Sequence, residues 1–481
     1  MQFNSYEFIF CFFPITVFLY YATNKVSTSL GKIVLILSSV VFYSWGRANL
    51  LIYLGISILC NYSLGLLTQR TENRKLIVVI SLIINIGFLF YFKYLFFGVS
   101  NINRFFGTTI ELREIILPLG ISFYSFQQIA YVVEKANGNL ENNSLIDYLA
   151  YILYFPKLVL GPIVDPVDYI SQINNDEAKR INLYNVACGI RIFSYGLIKK
   201  VLIADTFASA VNWVHTNLSV ATSMDVFLSL IFYSFEIYFD FSGYSDMAVG
   251  ISMVLNIELP INFDSPYKAL SIRDFWKRWH ISLTRFLTKY IYIPLGGSRK
   301  GKTRTYFNMM IVFIISGIWH GANWTFVLWG IFHGFFSCLD RAFSKIEEKV
   351  FMPIRWLWTF GLVSVLWALF SADSITQWKM MLLKIVFMQD TAISEGLINV
   401  FYMVENNLFR YFSWFGYISG NIRGFNLLFS IIAACTIIFI PENNYRNKTK
   451  LGIGSLVLSS GAFIWGVLCL GAESSFVYYG F

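Results

Sequence analysis

The chain reads as an all-α polytopic membrane protein, and three observations carry that reading. Hydrophobic residues make up 56% of its 481 residues and charged ones 14%, with a mean hydropathy of +0.59, so polar surface is too scarce to solvate a globule of this size. Apolar windows of bilayer length recur along the whole chain. Its 48 Phe, 29 Tyr and 13 Trp suit lipid-facing helices with aromatic belts at the two interfaces.

Taken in order, the windows cover roughly residues 6–23, 31–45, 48–68, 76–98, 115–133, 146–164, 185–210, 226–255, 306–321, 323–340, 355–372, 425–441 and 451–470. A span needs about 20 residues, so these predict about ten to thirteen transmembrane or re-entrant helices in a single integral membrane domain over residues 1–481. The first window has no small-residue cleavage site behind it and more spans follow, which reads as a retained helix rather than a removed signal peptide.

The basic charge is concentrated. Between Ser265 and Tyr306 stand ten Lys and Arg against one acid, Asp274, a balance of +9 that equals the net charge of the entire chain. The positive-inside rule therefore puts residues 265–306 in the cytoplasm, with smaller clusters such as Arg70, Arg74 and Lys75 on the same side. Phe275, Trp276, Trp279, Phe286, Tyr290 and Tyr292 interleave with the cations, which predicts an amphipathic segment lying on the inner leaflet. A solvated surface helix that only sets topology is the alternative. Arg273, Lys277, Arg278 and Arg285 are candidates to bind an anionic donor such as an acyl-CoA. The nearest partner of such a patch among membrane spans is the anionic lipid of the leaflet, so nucleic acid is not an expected partner.

Other chemistries find little support. The six cysteines have no C-x-x-C spacing, so neither a disulfide framework nor a metal site is indicated. The Gly-rich stretch Leu295 to Lys302 lacks the spacing of a phosphate loop, and no internal repeat of the transporter kind is evident.

Four histidines remain. His215, in Trp213-Val214-His215-Thr216-Asn217, reads as a surface loop residue, and His333 as a core histidine of an apolar helix. His280 stands beside Trp279 in the basic segment, where it could line a donor site or make a structural hydrogen bond. His320, in Ser316-Gly317-Ile318-Trp319-His320-Gly321-Ala322-Asn323-Trp324, sits within an apolar stretch, where an ionisable side chain is expensive and marks a functional site. Its side-chain type is the one suited to proton transfer near neutrality. Gly317 and Gly321 leave room for another backbone or a substrate to approach, and Asn323 falls on the same face if the helix continues.

At these residues the chain resembles a known family. The runs Phe239 to Ala248, Arg273 to Leu283, Tyr290-Ile291-Tyr292-Ile293-Pro294-Leu295-Gly296-Gly297 and Ile318 to Gly330 are similar to the membrane-bound O-acyltransferase (MBOAT) superfamily, in its bacterial branch of alginate O-acetylation membrane proteins. Ser122 to Gln127, Phe155 to Ile163 and Gly196 to Lys200 match in the same order upstream. The resemblance covers residues 30–340 well and the C-terminal third loosely.

The resemblance implies a multi-pass protein of the bacterial cytoplasmic (inner) membrane, with His320 as the catalytic histidine and His280 as a second catalytic candidate. Trp319 and Asn323 are supporting candidates. It implies no tightly bound cofactor and no metal, with acetyl-CoA or a related acyl donor as substrate. An exported SGNH-hydrolase-like acetyltransferase would be the partner that completes transfer to a polysaccharide hydroxyl. The last six residues, Phe476-Val477-Tyr478-Tyr479-Gly480-Phe481, resemble an aromatic tail in which the tyrosine matching Tyr478 relays the acyl group. An interfacial membrane anchor is the other reading of that tail.

Two positions depart from the branch's pattern. Lys157 stands where a Gln is common, and Thr288-Lys289 replaces a frequent Arg-Asp, which removes an acid. The carboxylates of Asp240 and Asp246 are expected to pair with cations of residues 273–289. The alternatives to O-acetylation are D-alanyl or other acyl transfer to an envelope polymer, and a transporter of polysaccharide or lipid-linked sugar.

Overall fold

The computed structural model of the chain describes residues 1–46, 48–113, 115–140, 143–175, 179–347, 349–401, 424–471 and 476. Among these residues the regular structure is helical, apart from one isolated antiparallel bridge between Phe263 and Trp279. Five helices among the described residues are long and apolar enough to cross a bilayer: Glu7–Asn24, Leu50–Arg70, Arg74–Phe106, Ser223–Val254 and Met352–Ser371. Thr28–Ser44, Phe425–Phe439 and Ile453–Leu468 are shorter apolar helices. The window at 146–164 is broken at Tyr154 into Leu145–Leu153 and the single turn Phe155–Leu158, so it does not form one continuous span.

The Ser223–Val254 helix is the core element. A capping box starts it, with Thr222 and Asp225 each satisfying the other's backbone N–H, and most of its length is buried. It crosses the Leu183–Ile198 helix at backbone contact: a Cβ on Gly196 would meet the Gly243 carbonyl at 2.6 Å. With no hydrophobic drive between helices in lipid, such close approach gains van der Waals contact instead. Outward-facing Phe18, Ile52, Leu59 and Ile83 are exposed, as lipid contact requires, while Asn61 inside accepts from Ser81 Oγ at 2.9 Å and Asn85 Nδ2 at 2.8 Å.

Among the described residues four stretches of π-helix interrupt the regular winding: Glu7–Phe12 opens the first span, and three others carry lysines. In Lys199–Ala204 two consecutive lysines reach the core helix, Lys199 to Asp246 at 2.7 Å and Lys200 to Asp240 at 2.6 Å. The expected pairing of those aspartates with residues 273–289 is therefore corrected. Lys199 and Lys200 follow the Leu183–Ile198 helix that packs on the core helix, and a Cβ on Gly243, between the two aspartates, would lie 3.2 Å from Lys199 Cβ and Lys200 N. In Thr288–Tyr292, Lys289 Nζ and Tyr290 Oη both reach Glu134 Oε1 at 2.8 Å, and Lys289 also meets Asp165 at 2.5 Å. Lys289 thus joins two acids of other elements in spite of its departure from the family pattern. The third lysine-bearing stretch, Phe90–Tyr94, lies within the Arg74–Phe106 run.

The basic segment folds into the protein. It forms the helices Ile272–Arg278 and Ile281–Leu287, and Phe275, Trp276, Trp279 and Phe286 are buried rather than laid on a leaflet. Trp279 packs against Phe263 and Trp367, each with centroids 4.9 Å away. Tertiary burial of these rings outweighs the amphipathic reading, because the surrounding helices supply aromatic partners that a lipid surface lacks. Arg74 donates to the Ala136 carbonyl at 3.2 Å, two residues from the Glu134 that binds Lys289. The Arg70–Lys75 turn and the basic segment thus share one end of the bundle.

Candidate active site around His320

The Lys302–His320 helix starts among the basic residues and runs for 19 residues, about 28 Å at 1.5 Å per residue, so its histidine ends roughly a hydrocarbon thickness from that end. Gly321 stops it: the backbone turns extended there (φ −162°, ψ 155°). The room left by Gly317 is taken by the following helix, Trp324–Glu347, since a Cβ on Gly317 would lie 2.4 Å from the Phe326 carbonyl oxygen and 3.1 Å from Gly330 Cα. The room beside Gly321 is taken by the Phe326 ring.

His320 is 4% exposed and stands in an aromatic setting, with Trp319, Trp329 and Phe370 at centroid distances of 4.9, 5.1 and 5.2 Å. It lines a cavity of about 940 Å³ together with Trp319, Lys93, Ser122, Trp45, Gly46 and Asn49. Trp45, Gly46 and Asn49 lie between the Thr28–Ser44 and Leu50–Arg70 helices, at the end of the latter opposite Arg70, so part of the cavity wall belongs to the end of the bundle away from the basic segment. A second cavity of about 670 Å³ shares Lys93 and Leu117 with the first, and Glu236, Asn323, Asp373 and His215 contribute to its wall. His215, expected in a surface loop, is partly buried in the last turn of the Asp205–Thr216 helix. An apolar cavity of about 680 Å³ between Glu7–Asn24 and Leu183–Ile198 is lined by no histidine.

His280 is fully buried, and among the described residues neither ring nitrogen has a hydrogen-bond partner. Its backbone is left-handed (φ 44°, ψ 53°), a conformation a non-glycine residue keeps only where its surroundings enforce it. The enforcement is visible: Ile281 N donates to the Asn262 carbonyl at 3.0 Å, and the bridge to Phe263 holds Trp279. The imidazole meets Phe241 edge-on at 4.7 Å and lies 6.2 Å from Trp319, whose indole thus neighbours both histidines. Trp319 itself donates to the Ser122 carbonyl at 3.3 Å and stacks on Phe126 at 5.2 Å. His333 is the core residue its sequence suggested: it accepts from Trp276 Nε1 on Nδ1 at 3.2 Å and packs against Trp329 at 4.7 Å.

Other candidates fall differently. The helix does not continue to Asn323, so the shared face expected for it is absent. Its Oδ1 accepts from Thr325 N at 3.2 Å as a cap for the next helix, and its Nδ2 donates to the Asp373 carbonyl at 2.8 Å. Two of the four donor-binding cations are engaged with carboxylates, Arg273 with Asp340 at 3.2 Å and Arg278 with Asp274 at 2.9 Å, while Lys277 and Arg285 are exposed. Lys157 is buried, donates to Gln127 Oε1 and has its ammonium 4.0 Å from the Tyr151 ring centroid, a cation–π contact. Tyr478 lies outside the described residues. Phe476, two residues before it, is buried in the bundle with Tyr244 at 5.0 Å and Lys200 Nζ at 4.4 Å from its ring.

At the basic end, burial works to raise the Glu134 carboxyl. Hydrogen bonds from Lys289, Asn139 and Tyr290 outweigh it and hold the group below its ordinary 4.5. Two residues escaped sequence reasoning. Lys93 interrupts the apolar run Phe90 to Phe97 and Glu236 sits within the core helix, and an ionisable residue in a span was the signal for both.

These features define a polytopic helical membrane protein with a histidine at the wall of an interior cavity. The chain belongs to the MBOAT, membrane-bound O-acyltransferase family, whose model matches residues 5–376, and it is an acyltransferase of the membrane. It is 34% identical over 409 residues to the peptidoglycan O-acetyltransferase of Helicobacter pylori, covering 78% of each chain. It is 37% identical over 385 residues to the probable alginate O-acetylase AlgI of Pseudomonas putida, again covering 78% of each. A more distant likeness, 26% over 258 residues, covers 48% of the chain and 59% of the teichoic acid D-alanyltransferase of Streptococcus thermophilus.

Proposed function

We propose that the protein moves acetyl groups from a cytoplasmic acetyl-CoA-type donor across the bacterial cytoplasmic membrane for O-acetylation of an extracytoplasmic polysaccharide. The observation that carries this reading is the burial of His320 on the wall of a cavity that is also lined by Trp45, Gly46 and Asn49, at the end opposite the basic segment. A base at that depth can receive the donor's acyl group from one side and an acceptor hydroxyl from the other. The two O-acetylating relatives, each alike over 78% of the chain, support this cargo over D-alanine.

In this reading His320 Nε2 takes the proton of the acceptor hydroxyl as its oxygen attacks the thioester carbonyl. The tetrahedral oxyanion collapses, the carbon–sulfur bond breaks, and the thiolate leaves with the proton returned by the imidazolium. His280, across the Trp319 indole, is the second catalytic candidate. Lys277 and Arg285 are the exposed cations for the donor's phosphates. Tyr478 is the first acceptor, and its phenyl ester passes the acetyl group to an exported SGNH-hydrolase-like partner. The burial of Phe476 against Tyr244, two residues before Tyr478, supports this relay over an interfacial anchor.

The test is transfer of label from radiolabelled acetyl-CoA to the purified protein in nanodiscs. Wild type retains label on the C-terminal peptide, whereas His320→Ala and Tyr478→Phe do not. Label retained in Tyr478→Phe removes the relay, and wild type that takes no label even with an exported partner removes the acetyl-CoA donor.

A further inference from the structure

A helix that ends inside a bundle leaves its last carbonyl oxygens without intrahelical partners, and in a water-poor wall each must be met by a donor. At the end of Lys302–His320 three consecutive carbonyls are met by two consecutive residues. Tyr94 Oη donates to the Ile318 carbonyl at 2.7 Å, and Lys93 Nζ donates to those of Trp319 at 2.7 Å and His320 at 3.0 Å. The ammonium also reaches Ser122 Oγ at 3.3 Å, so it ties this helix end to the start of Ile121–Ala136.

Adjacent residues of a regular α-helix point about 100° apart. Lys93 and Tyr94 nevertheless serve one helix end, and both lie in the π-helical stretch Phe90–Tyr94, a distortion that is frequent at functional sites. The same device appears twice more here: Lys199 with Lys200 on the core helix, and Lys289 with Tyr290 on Glu134. A cation at a helix C-terminus also meets the negative end of the macrodipole. Lys93 stands in the wall common to both cavities, where a displaced helix end would be felt directly by His320.

We propose that Lys93 is a positioning residue for His320: it holds the main chain of the last turn, and through it the imidazole, at the wall of the reaction cavity. Tyr94 assists by holding the preceding carbonyl. The proposal rests on the reading of His320 as the base.

The experiment uses the full chain in nanodiscs with Lys93→Met, Lys93→Arg and Tyr94→Phe. Lys93→Met lowers kcat for acetyl transfer about a hundredfold, the scale of a misplacement near 1 Å, with KM for acetyl-CoA within threefold. Lys93→Arg, which keeps charge and donors, restores at least a tenth of wild-type kcat. Tyr94→Phe, which deletes one hydrogen bond and serves if Lys93→Met does not fold, lowers kcat several-fold at unchanged KM. A second readout needs no turnover: the rate at which diethyl pyrocarbonate modifies His320, followed on its peptide by mass spectrometry, changes at least threefold in Lys93→Met and returns in Lys93→Arg. If wild type does not turn over acetyl-CoA, the donor reading fails and the modification rate alone decides. Equal kcat or equal modification rates in wild type and Lys93→Met overturn the proposal, as does Lys93→Arg as impaired as Lys93→Met.

Discussion

Gly317→Ala is the sharpest single test of how the fold serves the site. The added Cβ would stand 2.4 Å from the Phe326 carbonyl oxygen, and ordinary contact begins at 3.4 Å, so the crossing is 1.0 Å too tight. The obstacle is backbone on the Trp324–Glu347 helix, which no side-chain rotation relieves. The helices must separate by about that amount, at a cost of roughly 1–3 kcal/mol for overpacking. His320 is three residues further along the same helix, and a 1 Å misplacement of a catalytic group costs about a hundredfold in rate. The expected result is a kcat for acetyl transfer in nanodiscs reduced by about two orders of magnitude, with a modest drop in thermal stability. Gly55→Ala is the control, because nothing lies within 4 Å of a Cβ there and alanine favours a helix. Gly317→Ala with kcat within threefold of wild type and unchanged stability would refute the claim that this crossing sets the position of His320.

Two further outcomes follow from charges inside the fold. The Lys200 side chain, 2% exposed, bridges Asp240 at 2.6 Å and Asp205 at 2.9 Å, so Lys200→Met removes the cation from the buried Asp240 carboxylate. It should cost about 3–5 kcal/mol, read as a lowered thermal midpoint, and Lys200→Met with Asp240→Asn should recover much of the loss; a double variant no better than the single would contradict this. Glu134 is held below its ordinary value of 4.5, so its contribution to stability is present above that value and is lost as pH falls through the lower folded one. Thermal midpoints measured from pH 6 down to pH 3 should fall more steeply in wild type than in Lys289→Met, and parallel curves would show that the contact contributes nothing.

Much of this protein is legible in its sequence because membrane residence is written locally. Apolar windows, a run of cations and a histidine among apolar residues need no knowledge of distant partners, and they suffice for an all-helical membrane protein with His320 as its candidate site. Partners are another matter. Asp240 and Asp246 carry nothing that selects Lys200 and Lys199 over the cations of residues 273–289, and the choice came from which helix packs against the core helix. The aromatic residues of the basic segment alternate with charge as a leaflet-bound helix would, yet surrounding helices gave Trp276 and Trp279 better partners than lipid does. Asn323 looked like a neighbour of His320 in a continuous helix, and Gly321 ended that helix and made Asn323 a cap. Lys93 lies 227 residues from His320, and a hydrogen bond between them exists only because the π-helical stretch and the end of another helix meet. Composition and local pattern determined where the chain lives and which histidine to watch. Only the packing of helices distant in sequence decided which groups satisfy buried charges and carbonyls, because each must find a partner where water is absent.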